Sequence, residues 1–85
     1  MARRIHFTRH AREKFSTLAA YGFRINKRDV TRAISKPVKI HRKGKQTLVI
    51  MRISEKYALT VVYEERKGII IVITFYPVRR EMYGI

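Results

Sequence analysis

Three histidines and several groups of clustered cations are the residues of this sequence best suited to chemistry. His10 stands at the start of a segment whose apolar residues recur with helical period, so it belongs to the first turn of a helix. The helix dipole disfavours a cationic imidazole at that end, and a neutral imidazole can take up a proton. The alternative for His10 is a half-buried side chain packed beside a sheet. His6 falls on a short strand and His41 in a basic stretch, so the three are scattered. With no cysteine and few carboxylates, no metal-ligand spacing is present, and neither a metal nor another cofactor is expected.

The cations fall into three groups. Lys27 and Arg28 occupy the first turn of a second helix, where positive charge opposes the dipole at a cost of a few tenths of a kcal/mol each. Such positions suit a phosphate-binding role, or are screened by solvent. Lys36, Lys39, Arg42, Lys43 and Lys45 follow in one stretch, for which a phosphate backbone is the simplest partner and a solvated hairpin tip the alternative. Arg79 and Arg80 come directly after Thr74-Phe75-Tyr76-Pro77. Guanidinium groups hold phosphate through paired, coplanar hydrogen bonds that Lys cannot make. Tyr76 beside them can stack on a base or donate its hydroxyl. An RNA 2′-OH supplies its own nucleophile, so acid–base and cationic groups suffice for RNA cleavage without a metal; DNA is much harder. RNA is therefore expected before DNA.

Charge and length frame these groups. Twenty Lys and Arg face six Asp and Glu, a net +14 over 85 residues. That excess repels itself in a compact domain, and solubility is served by a smaller, mixed charge, so a polyanionic partner is expected. No long basic amphipathic helix or lipidation motif points to a membrane. The longest apolar run, Ile69 to Ile73, is far too short to span one, and no apolar h-region follows Met1. A cytoplasmic location is the expectation. The 46% of hydrophobic residues allows a core, and the length allows one domain over residues 1–85.

The elements that must position these side chains are legible from caps and periodicity. Arg4 to Phe7 reads as a strand and Thr8 as an N-cap. The helix after it runs to about Tyr21, carries the stripe Ala11, Phe15, Leu18 and Ala19, and ends at Gly22. Asn26 with Asp29 makes a capping box, and Ile25 with Val30 a hydrophobic staple, for a helix that Lys36-Pro37 stops. Val38–His41, Gln46–Ile53, Tyr57–Glu64 and Ile69–Tyr76 read as strands whose short connections demand an antiparallel meander. The fold class is α+β, with two N-terminal helices packed on one face of a curved antiparallel sheet in the order β-α-α-β-β-β-β. Alternation along the last strand assigns Ile69, Ile71, Ile73 and Phe75 to the helix-packed face, and Ile70, Val72, Thr74 and Tyr76 to the other. That second face is left for a ligand or partner, a homodimer included. The tail from Pro77 reads as too short to add an element.

The stretch Phe7-Thr8-Arg9-His10-Ala11-Arg12-Glu13-Lys14, with Ile25, Asp29-Val30 and the closing strand Ile71-Val72-Ile73-Thr74-Phe75-Tyr76, resembles a widespread family of uncharacterised small domains. Its members lead from a strand into a Thr/Ser-x-His-Ala helix and are grouped with the RelE/ParE-like toxins and the barnase–EndoU–colicin ribonucleases. The resemblance runs from about Ile5 to Arg80. It implies a RelE-like fold, and an active site marked by His10 with Thr74 and Tyr76. It also implies metal-independent, toxin-like RNA cleavage, an antitoxin protein as partner, and inhibition of a protein such as gyrase in the ParE-like branch. The basic and aromatic set that an mRNA-cleaving RelE toxin carries in its tail is incomplete here, with Arg79, Arg80 and Tyr83 as the available substitutes. The expected function is thus a small basic RNA-acting domain, toxin-like and metal-independent. The alternatives are a non-catalytic RNA-binding module, such as a ribosome-associated one, and a protein-inhibitor module.

Overall fold

The computed structural model describes residues 4–85. The elements are β1 (Arg4–Phe7), α1 (Arg9–Ala20), α2 (Lys27–Ser35), β2 (Lys39–Lys43), β3 (Gln46–Arg52), β4 (Tyr57–Arg66) and β5 (Ile69–Arg79), followed by a 3₁₀ turn, Arg80–Met82. Both helices pack on one face of a five-stranded sheet of order β1-β5-β4-β3-β2, an α+β architecture.

Caps fix the helices where the sequence places them. The Thr8 hydroxyl accepts the Ala11 N–H at 3.1 Å and donates to the Ile73 carbonyl at 3.2 Å, so the start of α1 is tied to β5. At the other end Gly22, at φ +91°, turns the chain while the Gly22 and Phe23 N–H groups return to the Ala19 and Leu18 carbonyls. Asn26 and Asp29 form the reciprocal capping box of α2, with Ile25 and Val30 buried on either side. Ala11 and Leu18 are buried and Phe15 packs against the core, but Ala19 is exposed. The buried stripe of α1 is therefore narrower than its apolar residues suggest.

Strands β2 to β5 form the antiparallel meander, while β1 joins the edge parallel to β5, with Arg4 opposite Ile69 and Phe7 opposite Val72. The sheet is thus mixed rather than wholly antiparallel. Short loops force neighbouring strands to reverse, but the helical connection from β1 to the far edge is long enough to escape that rule.

The faces of β5 require a correction. A bulge shifts its register against β4 at Val62 and Tyr63: Val72 lies opposite Tyr63 and Thr74 opposite Val62, leaving Ile73 as the extra residue. Below the bulge Ile70 and Val72 face the helices, and above it Phe75 does. Ile71 therefore lies on the opposite face, not the helix-packed one. Ile70 and Val72 take the core positions expected of Ile71 and Ile73. Phe15 packs against Phe75 at 4.6 Å and Phe7 at 5.7 Å between ring centroids, closing the core under α1.

The second face is partly covered. Strand β5 continues through Pro77 to Arg79, which is possible because β1 ends opposite Val72 and leaves this part of β5 as an edge without a ladder partner for the missing N–H. The chain then folds back. The Arg80 guanidinium donates to the carbonyls of Ser54 (3.2 Å), Glu55 (3.3 Å) and Ile85 (3.0 Å), and the Lys39 ammonium donates to the Tyr83 carbonyl. Lys39, Ile50, Thr60 and Tyr76 form one cross-strand row on this face, and Tyr83 spans it from Tyr76 to Lys39. Ile50, Ala58 and Thr60 are fully buried as a result. The tail is an element of consequence, against the expectation from its length.

Candidate nucleic-acid interface

His10 occupies the second position of α1 and is exposed. A half-buried packing role is therefore not the one it takes. Because Thr8 is bonded to Ile73, the first turn of α1 lies beside β5 at the point where β1 has ended. Thr74 and Tyr76 follow on β5, but their side chains share the face of Val62 and Thr60, opposite the helices. His10 thus stands on the helix side of this edge and the two hydroxyls on the other. Thr74 is half-buried beside Val62, in a row continued by Leu48 and the exposed His41. Tyr76 is half-buried under the tail; burial, reinforced by the neighbouring Tyr83, raises its hydroxyl above the ordinary value of 10.0. At neutral pH it is a hydrogen-bond donor rather than a base. Among the described residues, no three His, Asp or Glu side chains gather into a cluster.

The cations separate by role. Arg42, Lys43 and Lys45 are exposed along β2 and its tight turn, on the outer edge of the sheet. Gly44, at φ +60°, makes that two-residue turn possible and projects Lys43 and Lys45 from the hairpin end. Arg28 is exposed on α2, while the Lys27 ammonium lies 5.6 Å from the centre of the Phe7 ring. Arg79 is exposed at the opposite end of the sheet and borders an open cleft with Lys56, Glu55 and Glu81. Arg80 is committed to the three carbonyls that hold the tail, so its guanidinium is largely occupied. Gln46 lies opposite Glu64 and Arg79 opposite Tyr57, so the β2 turn and Arg79 are separated by seven steps along β4, about 23 Å.

From Arg24 to Lys45 the chain holds nine Lys and Arg and one acid. All nine cations are exposed, and the acid, Asp29, is used in the α2 cap. Of the acids elsewhere, Glu13 is paired locally with Arg9 and Glu64 with Arg66. The positive surface is therefore concentrated on the α1–α2 loop, α2 and the β2 edge. Arg24, Arg32 and Arg52, which sequence spacing did not single out, border one cleft at the end of β3. Their separation along the chain leaves no local pattern from which to find them. Among the described residues, no helix is long and apolar enough to cross a membrane. Comparison with known proteins finds no family model, curated protein or solved structure that matches the chain.

Proposed function

We propose that this protein is a small RNA-binding module that holds the phosphate backbone of a single-stranded or irregular RNA along α2 and the β2 edge. The observation that carries this reading is the run of nine exposed cations from Arg24 to Lys45 with a single, already engaged carboxylate. Cations on a rigid helix and strand edge release counterions when phosphates replace them, and that release supplies sequence-independent affinity. The 2′-OH and the unpaired bases of RNA add contacts for Thr74 and His41, on the open part of the second face, that duplex DNA does not offer. The test is a gel shift with a triple variant, Arg42→Gln, Lys43→Gln and Lys45→Gln. Affinity should fall across RNA sequences while thermal stability stays the same, because all three side chains are exposed. Undiminished binding would remove β2 from the interface.

Metal-independent cleavage, in keeping with a toxin-like domain, is the second reading. It is favoured by the exposure of His10 beside the open edge of β5. If His10 transfers the proton, His10→Ala should lower cleavage by about 10²–10⁴-fold with little change in affinity or melting temperature. RNA that is shifted on the gel but stays intact would leave binding as the function.

A further inference from the structure

At the end of the sheet where Phe23 packs edge-on against Tyr57, with centroids 5.0 Å apart, the α1–α2 loop, α2 and the end of β3 enclose a cleft of about 240 Å³ with mainly polar walls. We propose that this cleft is a phosphate-binding site, with Arg24 and Arg32 as its two guanidinium arms. Arg24 reaches it from the loop and Arg32 from the helix, and Arg52 borders it at the end of β3. The one carboxylate there, Asp29, accepts the Asn26 N–H at 3.0 Å as part of the capping box. Neither Arg24 nor Arg32 has an ion pair or a side-chain hydrogen bond among the described residues, although Arg9 and Arg66 each find a glutamate. Two unpartnered guanidiniums on separate elements match a tetrahedral oxyanion, whose oxygens point in different directions and take a fork each. A planar carboxylate is satisfied by one fork. The volume lies below the roughly 300–1,000 Å³ of sites for drug-sized ligands, so the occupant is a small group. Phe23, held by its contact with Tyr57, forms part of one wall.

The inference is independent of the RNA reading, since the phosphate can belong to a strand or to a small free molecule. Inorganic phosphate titrated into the ¹⁵N-labelled full chain, against chloride at constant ionic strength, tests it. Saturating amide shifts confined to Gly22–Ile25, to α2 around Asp29 and Arg32, and to Met51–Ile53 are expected. Arg24→Gln and Arg32→Gln should each weaken the apparent affinity by roughly 10–100-fold. Arg12→Gln, which removes the same charge from an exposed position on α1, should leave it unchanged. Non-saturating shifts spread over the cationic surface, or equal loss in all three variants, would overturn the site. A short RNA added to the phosphate-saturated protein then separates the sources. Displacement of the cleft shifts shows that a strand phosphate takes the site, and simultaneous binding assigns it to a small phosphate. If RNA does not bind while the phosphate shifts persist, the RNA reading fails and the site stands.

Discussion

The two faces of the sheet are built from similar apolar residues but closed by different means. On one face α1 and α2 cover Val49, Val61, Ile70, Val72 and Phe75 with apolar side chains, and the rings of Phe7 and Phe15 complete the contact. On the other, a short tail covers the row of Ile50 and Thr60. It is held mainly by polar contacts, Arg80 on three carbonyls and Lys39 on one. Beyond the tail that face lies more open, with Leu48, Ile71 and Thr74 half-buried and His6 and His41 exposed. The first cover derives its strength from area removed from water. The second rests on a few charge-assisted bonds, and beneath it the Thr60 hydroxyl is buried with no hydrogen-bond partner among the described residues. The helix face holds the fold together, and the tail face is where the fold tolerates an unmet polar group.

Disruption of the helix face should have the largest effect. Phe75→Ala should cost about 3–5 kcal/mol, read from urea unfolding, because Phe75 is fully buried beneath Phe15. A loss below about 1 kcal/mol would mean that the helices do not close this face. Arg80→Ala should cost less, about 1–2 kcal/mol, since its bonds are charge-assisted but partly solvated. Its loss should also uncover Tyr76, measurable as a fall of the phenol titration toward 10.0 by ultraviolet absorbance. An unchanged Tyr76 titration in that variant would show that the tail is not the cover.

Thr60→Val should act in the opposite direction. Removing an unpartnered buried hydroxyl should stabilise by about 1 kcal/mol, a rise of about 4–8 °C in Tm. Destabilisation would mean that the hydroxyl has a partner. The smallest effect should come with pH. Folding raises the Tyr76 value above 10.0, so the native state favours the neutral phenol, and that contribution is fully present below pH 10. It should be lost as pH rises from there through the folded value. The urea midpoint of the wild type should therefore fall relative to that of Tyr76→Phe as pH rises above 10, and parallel curves would contradict it.

Local signals carried most of the fold. Thr8, Gly22, Asn26 and Asp29 mark helix ends through hydrogen bonds within a few residues, and each does so here. The faces of β5 were not legible, because Ile69 to Ile73 is uniformly apolar and a bulge leaves no trace in such a run. The parallel placement of β1 depends on a long connection whose path no short spacing encodes. The role of Arg80 was hidden for a related reason. Its partners, Ser54 and Glu55, lie some 25 residues away, so a tandem arginine pair read as a phosphate clamp when one member holds the tail. Exposure of Arg42, Lys43 and Lys45 was foreseeable from their density, whereas the meeting of Arg24 and Arg32 at one cleft needed the folded chain.

The salt dependence of RNA affinity tests the central claim most directly. If about five phosphates are neutralised on a single strand, log K against log[salt] should have a slope of roughly −3.5. In the triple variant Arg42→Gln, Lys43→Gln and Lys45→Gln the loss of three contacts should reduce it to roughly −1.4. A flat dependence in the wild type, or an unchanged slope in the variant, would contradict an RNA interface on α2 and the β2 edge.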